Sequence, residues 1–127
     1  MKKEINSPQA PAPIGPYSQA IAANGMLYVS GQIALDRRSG NLVIDSITSE
    51  THQVMKNLRA ILAEAGLDFS NVVKCSIFLS DMGDFATVND IYGQYLQQPA
   101  PARETVAVKT LPKNVNVEIS CIAYMPK

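Results

Sequence analysis

The chain has 127 residues, of which 46% are apolar and only 17% charged, and its eleven basic side chains balance eleven acidic ones. This length predicts one domain, residues 1–127, that buries roughly two-thirds of its unfolded surface. The charge balance leaves no basic stripe for nucleic acid or an anionic membrane, and no apolar run approaches the roughly 20 residues that span a bilayer. Because no apolar stretch follows the first lysines, we expect no signal peptide and a cytoplasmic protein.

The start of the chain predicts three strands. Residues 2–5 could form a short edge strand, and a proline-rich loop covers residues 7–16. Asn24 and Gly25 separate two apolar runs, which is the strongest local signal of a β-hairpin because both residues tolerate positive φ. Residues 36–41 form another turn. We therefore expect a short strand followed by a hairpin.

A first helix follows this turn. Apolar residues recur at steps of three and four from Ile47 to Ala65, which is the period of an amphipathic helix. Asp45 and Ser46 supply oxygens for its N-cap, and Gly66 ends it as a C-cap.

The second half of the chain predicts three more strands and a second helix. Residues 72–79 are apolar at almost every position, which is typical of a strand covered on both faces. A helix begins near Asp84 and is broken by Pro99 and Pro101. The last two strands are residues 103–108 and 116–124, separated by a turn at 109–114.

The predicted order is β-β-β-α-β-α-β-β, an α+β fold with a sheet of about six strands. Two helices can cover one face of such a sheet but not the other. The strands nevertheless supply apolar side chains to both faces. We therefore expect another copy of the chain to bury the second face.

The cysteines and the single histidine predict structural roles. Cys75 and Cys121 lie in apolar, alternating stretches and are interpreted as small core residues in a reducing compartment. His52 is expected on the solvated face of the first helix. With one histidine and no close Cys/His spacing, we expect no metal site.

Candidate chemistry rests on two charged residues in the apolar strands, because the chain has no phosphate loop and no nucleophile–base pair. Arg103 could bind a carboxylate through two parallel hydrogen bonds, or it could be a solvated arginine at a strand start. Glu118 lies within the last strand, where burial can raise its pKa and make it a general acid or base on water. An exposed glutamate on an edge strand, or an ion pair with a lysine, is the alternative.

Three uncharged residues are weaker candidates. Tyr17 follows a rigid Gly-Pro turn, and its phenol could bind a substrate or simply pack with its hydroxyl in water. Thr105 follows Arg103 by two residues and shares its strand face, so its hydroxyl could line the same pocket or it could be only a strand former. Asn89 lies within the second helix and is either a polar contact or a solvated residue.

Five segments carry a resemblance to a known family. They are APIGPYSQAI (12–21), LYVSGQI (27–33), DFATVNDIY (84–92), PAR (101–103) and LPKNVNVEI (111–119). Over essentially its whole length the chain resembles the RidA (YjgF) family. The Pro-Ala-Arg segment followed by Val-Glu-Ile resembles the signature stretch of that family.

The resemblance implies a chorismate-mutase-like fold in which three copies pack their sheets into a central barrel, with helices outside and clefts between subunits. It implies hydrolysis of reactive 2-enamines and 2-imines, such as 2-aminoacrylate, to a 2-keto acid and ammonia. No cofactor or metal is required, because an imine carbon is already electrophilic. Some relatives are instead credited with chaperone-like or regulatory binding, which keeps a binding module as the alternative. Cleavage of RNA is a third idea, and the balanced charge argues against it.

The resemblance also implies roles for individual residues. Arg103 would hold the substrate carboxylate, Glu118 would position or activate water, and Tyr17 would bind substrate or water. Backbone groups of Gly31 and Thr105 would hold the nitrogen end. Ser30 and Asn89 would be nearby support.

The chain departs from the family pattern at two positions. Thr105 stands where imine-hydrolysing members often carry cysteine. Glu104 stands where many members have a small residue, and strand alternation sends it to the face opposite Arg103, where it could pair with Lys109. Both departures bear on substrate preference more than on the fold.

Overall fold

A computed structural model describes residues 1–127 as a six-stranded sheet with two helices on one face. The elements are β1 (Lys3–Ile5), β2 (Ala20–Ala23), β3 (Met26–Gln32), α1 (Ile47–Glu64), β4 (Val72–Leu79), α2 (Phe85–Gln94), β5 (Ala102–Ala107) and β6 (Val117–Tyr124). The predicted element order and α+β class are confirmed. No helix combines the length and the apolar character needed to cross a membrane.

The sheet has the strand order β1-β2-β3-β6-β4-β5. Only β4 and β5 run parallel, because α2 forms the crossover between them. All other neighbours are antiparallel, so the sheet is mixed. This order places β5 at one edge and β6 in the interior. Glu118 therefore lies on an interior strand, which excludes the alternative of an edge-strand glutamate.

The local signals match the structure closely. Asn24 and Gly25 adopt φ angles of 51° and 75° in the β2–β3 hairpin. The Ser46 side chain accepts a hydrogen bond from the Ser49 backbone N–H at the start of α1. Gly66, at φ 75°, follows the last turn of that helix in the left-handed conformation.

The core lies between the helices and one face of the sheet. Alternate residues of β6 are buried there, at Val117, Ile119, Cys121 and Ala123. The other face has no cover in a single copy, and Tyr28, Tyr124 and Val106 are 48%, 45% and 41% exposed. Within one copy β4 likewise buries only alternate side chains. Burial of the second face by another copy thus remains a prediction.

Cys75 and Cys121 are free, buried and directly opposite each other on β4 and β6. Their interpretation as core residues is confirmed, and burial raises the pKa of both thiols.

The prediction of a solvated His52 is wrong. Its ring is half-buried, and its Nδ1 lies 2.7 Å from the Tyr95 hydroxyl oxygen. Tyr95 follows the end of α2 and packs onto α1. His52 lies outside the apolar stripe of α1, but this packing makes it part of the contact between the two helices.

Candidate functional site

The predicted site residues separate into two groups on opposite faces of the sheet. Arg103 pairs across the strands with Cys75, and Thr105 pairs with Ile77. Because directly paired residues share a face and both partners are buried, Arg103 and Thr105 lie on the helix-covered face. Glu118 alternates with the buried residues of β6 and lies on the uncovered face. One copy of the chain therefore cannot place Arg103 against Glu118.

Arg103 is held against α2 by three side chains. Its Nη1 donates a 2.6 Å hydrogen bond to Asn89 Oδ1. Its guanidinium carbon lies 5.2 Å from the Tyr92 ring centroid and 5.6 Å from that of Phe85, within the range of cation–π attraction. The residue is exposed and forms no ion pair. The guanidinium is therefore positioned while its other N–H groups are free for an anion, which differs from a freely solvated arginine.

Two hydroxyls on the helix-covered side of the sheet, from Thr105 and Tyr92, are buried, and that of Thr105 has no hydrogen-bond partner. Burial also raises the pKa of the Tyr92 phenol. Thr105 lies on the face of Arg103 as predicted, but its Oγ1 does not reach solvent in a single copy. Its hydroxyl therefore does not line an open pocket there, whereas its backbone lies on the edge strand.

A cleft of about 410 Å³ opens on the uncovered face, around Glu118. It is lined by Ile14, Tyr17, Ser30, Gly31, Ile33, Pro112, Lys113 and Glu118. Four of the predicted site residues thus come together there: Tyr17 from the segment before β2, Ser30 and Gly31 from β3, and Glu118 from β6. Ile14, Ile33, Pro112 and Lys113 were not predicted, although all four lie in or beside the segments that carry the family resemblance.

Gly31 leaves room for the Glu118 side chain. A Cβ built on Gly31 would lie 2.8 Å from Glu118 Cδ and closer still to Oε2. The β3–β6 pairing is irregular here, since Val29 pairs with Cys121 but Gln32 with Ile119. Two residues of β3 therefore oppose one residue of β6, which is the arrangement of a β-bulge. The bulge and the absence of a side chain at Gly31 together allow the Glu118 carboxylate to lie over β3.

The Glu118 carboxyl is half-buried and has no hydrogen-bond or ion-pair partner within the chain. Burial raises its pKa above the usual range for glutamate, as the sequence predicted. A carboxyl group of this kind can exchange protons with water at the mouth of the cleft.

Tyr17 is half-exposed on a loop that side-chain hydrogen bonds fix in place. Gln19 is buried and accepts from the Ser7 N–H at 2.7 Å while donating to the Pro11 carbonyl at 2.9 Å. The Ser30 hydroxyl donates to the Ser18 carbonyl at 2.6 Å. The hydroxyl of Ser30 is therefore engaged in holding the loop of Tyr17 at the edge of the cleft.

Glu50 is a buried residue of α1 that the sequence analysis missed. Its Oε2 accepts from the backbone N–H groups of Asn116 and Val117 at 2.7 and 3.2 Å, and its Oε1 accepts from Asn116 Nδ2 at 2.8 Å. These bonds fix the chain immediately before Glu118. Its position in the sequence indicates burial, because Glu50 falls between Ile47 and Val54 on the apolar stripe of the helix.

The partner predicted for Glu104 is wrong. Its carboxylate lies 2.9 Å from Lys74 Nζ and accepts a hydrogen bond from the Ser76 hydroxyl, not from Lys109. Parallel pairing places Ser76 directly opposite Glu104. The Ser76 hydrogen bond, followed by the interactions with Lys74, lowers the pKa of Glu104. No group of three or more His, Cys, Asp or Glu side chains is arranged to hold a metal ion.

The family model, the related sequences and the solved structures that match this chain all indicate one family. A family model described as Endoribonuclease L-PSP matches residues 7–125. A RutC family protein of Synechocystis is 53% identical over 98% of this chain and 97% of its own. A mouse protein named 2-iminobutanoate/2-iminopropanoate deaminase is 49% identical over 97% of this chain and 91% of its own. The crystal structure of RidA from the Antarctic bacterium Psychrobacter sp. PAMC 21119 has 37% identity and a TM-score of 0.93, covering 97% of this chain and 99% of that one.

Proposed function

Because the chain belongs to the RidA (YjgF) family, we propose that it hydrolyses reactive 2-imino acids and their enamine tautomers to 2-keto acids and ammonia. The catalytic unit is a trimer whose three sites lie between neighbouring subunits. The mouse relative named for 2-iminobutanoate and 2-iminopropanoate supports this substrate class.

The observation that carries the proposal is the state of Glu118. Its carboxyl has a raised pKa, has no partner in the chain and lies with Tyr17 at an open cleft. A structural glutamate would normally be solvated or paired, since ionised groups are rarely buried alone. A proton-exchanging role explains why this carboxyl is half-buried and yet unpaired.

Arg103 supplies the other half of the site from a neighbouring copy. It lies on the edge strand β5, and its guanidinium is fixed by Asn89 and the rings of α2. If β5 of one copy borders the Glu118 cleft of the next, the free N–H groups face the substrate. A guanidinium binds a carboxylate through two parallel hydrogen bonds, which selects 2-imino acids over uncharged imines.

The reaction then needs only water and proton transfer. The Glu118 carboxylate accepts a proton as the water oxygen attacks the imine carbon, and that proton passes to the nitrogen. As the C–N bond of the resulting tetrahedral intermediate breaks, its hydroxyl proton is transferred to the nitrogen through Glu118, so ammonia leaves and the 2-keto acid remains. Tyr17 donates a hydrogen bond to water or substrate. Such general acid–base assistance typically accelerates a reaction about 10²–10⁴-fold, which suits a substrate that also hydrolyses unaided.

A direct test follows the decay of freshly generated 2-iminopropanoate with wild type, Arg103→Ala and Arg38→Ala. Arg38 is an exposed arginine in the 36–41 turn and serves as the matched control. We expect wild type and Arg38→Ala to accelerate release of ammonia and pyruvate, and Arg103→Ala to retain the oligomer without that rate. If wild type did not accelerate the release of ammonia and pyruvate, the proposed function would be wrong.

The uncovered apolar face favours a second candidate, a chaperone-like or regulatory binding module. Tyr28, Tyr124 and Val106 are all more than 40% exposed in one copy. A protein that holds unfolded chains would use this surface and tolerate Arg103→Ala. A protein that binds a small carboxylate without turnover would lose affinity in the same variant and release no product with wild type.

A further inference from the structure

Lys113 lies at the rim of the Glu118 cleft without an anionic partner. It lines that cleft together with Tyr17 and Gly31, and it is exposed. The one salt bridge of the chain joins Lys74 to Glu104, on a different part of the uncovered face. The Lys113 ammonium is therefore a free positive charge beside the cleft.

The backbone at Lys113 is strained. Lys113 adopts φ 54° and ψ 21°, and Asn114 follows at φ 60°, so two consecutive residues other than glycine occupy the left-handed region. Such conformations are uncommon for residues with a Cβ, and they persist where the surroundings determine them. They are also concentrated at functional sites.

Hydrogen bonds on both sides of the turn maintain this conformation. The Asn114 N–H donates to the Leu111 carbonyl at 2.9 Å, and the Val115 N–H donates to the Pro112 carbonyl at 3.3 Å. The buried Glu50 carboxylate then binds Asn116. The turn thus fixes the Lys113 backbone next to the strand of Glu118.

The size of the cleft exceeds what the smallest substrates require. Its volume of about 410 Å³ falls within the range of about 300–1,000 Å³ that is typical of ligand sites, and a three-carbon imine would fill little of it. Ile14, Ile33 and Pro112 form apolar walls that suit the methylene groups of a longer side chain. A larger substrate would extend from the reacting carbon toward the rim.

Lys113 is the one cation of the cleft to which the proposed function gives no ionic partner. In the proposed function Arg103 binds the α-carboxylate. Lys113 and Glu118 line the same cleft but form no ion pair, since the one ion pair of the chain joins Lys74 to Glu104. A second anionic group on the substrate would match the remaining charge.

We propose that Lys113 is a specificity-determining residue that binds a second carboxylate on the substrate side chain, so that dicarboxylic 2-imino acids are substrates of this protein. This inference rests on the proposed function. The inference adds dicarboxylic 2-imino acids to the substrates, a class for which a site with only Arg103 and Glu118 would show no preference.

Two imines of similar shape test the proposal. Oxidation of aspartate and of leucine in situ gives 2-iminosuccinate and 4-methyl-2-iminopentanoate, whose side chains end in a carboxylate and in an isosteric pair of methyl groups. The measured quantity is the ratio of kcat/KM for the diacid to kcat/KM for the leucine-derived imine. Wild type is compared with Lys113→Gln, with Lys113→Arg, and with Lys109→Gln as a control at an exposed lysine outside the cleft.

We expect Lys113→Gln to lower this ratio by about 5- to 30-fold, as for loss of a charge-assisted hydrogen bond in a partly hydrated cleft. Lys113→Arg and Lys109→Gln should keep the wild-type ratio. An unchanged ratio in Lys113→Gln, or an equal fall for both imines, would overturn the specificity role while leaving the proposed function intact. If wild type hydrolysed 2-iminopropanoate but not 2-iminosuccinate, the inference would fail and the proposed function would stand, whereas hydrolysis of none of these imines would contradict both.

Discussion

Arg103 and Glu118 lie on opposite faces of the same sheet, although both carry the chemistry expected of one site. Arg103 pairs with the buried Cys75 on the helix-covered side, whereas Glu118 pairs with Phe78 on the uncovered side. The strand of Arg103 is an edge strand whose outer edge has no partner in the chain. An active site that uses both residues must therefore form between two copies, and we propose that β5 of one copy borders the cleft of the other.

The raised pKa of Glu118 predicts a pH dependence of activity. General-base catalysis requires the ionised carboxylate, so kcat/KM should rise with pH through the Glu118 pKa, which burial places above the usual value for glutamate. In Glu118→Gln this rise should disappear and the rate should fall by about 10²–10⁴-fold. The check is a pH–rate profile for 2-iminopropanoate, corrected for uncatalysed hydrolysis. If kcat/KM of Glu118→Gln still fell toward acid pH, the titrating group would be one other than Glu118.

Glu118 also predicts a pH dependence of stability. Its pKa is higher in the folded than in the unfolded state, so folding binds its proton more tightly. The stability associated with the protonated form is present at low pH and declines as pH rises from the unfolded-state pKa to the raised folded-state pKa. Glutamine mimics the protonated form and should escape this decline.

Glu118→Gln should therefore have a Tm about 1–4 °C above wild type at pH 7.5, with a smaller difference at pH 4. Calorimetry at one protein concentration would measure both differences, because the Tm of an oligomer depends on concentration. A difference that grew toward acid pH would show that another interaction of Glu118 dominates.

Gly31→Ala should damage the site directly. The added Cβ would overlap the Glu118 carboxyl, which must then leave its position over β3. We expect at least a tenfold loss of kcat/KM with the oligomer retained, because a small misplacement of a reacting group can lower the rate by about 10²-fold. Gly93→Ala is the matched control, since a Cβ there would meet no atom within 4 Å. Equal activity of the two variants would contradict the proposed seat of Glu118.

Glu50→Gln should destabilise the protein. The buried carboxylate accepts three N–H groups, and an amide would present a donor to one of them. Leaving a buried donor unpaired costs about 1–3 kcal/mol of unfolding free energy. Chemical denaturation of Glu50→Gln beside Glu64→Gln, which changes an exposed carboxylate near the end of α1, measures this loss. Equal stabilities would remove the anchoring role of Glu50.

Local patterns in the sequence were sufficient to predict the order of elements and most of their bounds. Asn24-Gly25 marked the hairpin, and the three- and four-residue steps marked α1, because both signals depend on neighbouring residues only. The alternation of residues 116–124 is a local pattern of the same kind, and in the structure it separates Glu118 from the buried side chains of β6.

What the sequence could not provide were the partners across the structure. The lysine that pairs with Glu104 is Lys74 because β4 and β5 run parallel in one register, and that register depends on the α2 crossover. The contact between His52 and Tyr95 depends on how two helices pack. The separation of Arg103 from Glu118 requires the strand order, which local periodicity does not contain.

Mixed oligomers test the central claim most directly. Arg103→Ala and Glu118→Gln chains, each inactive alone, are unfolded together, refolded at equal amounts and assayed for hydrolysis of 2-iminopropanoate. If each site takes Arg103 from one copy and Glu118 from its neighbour, random assembly restores both wild-type residues at about a quarter of the interfaces, and about that fraction of the wild-type rate should return. No recovery of activity in mixed oligomers of normal mass would contradict a site shared between copies.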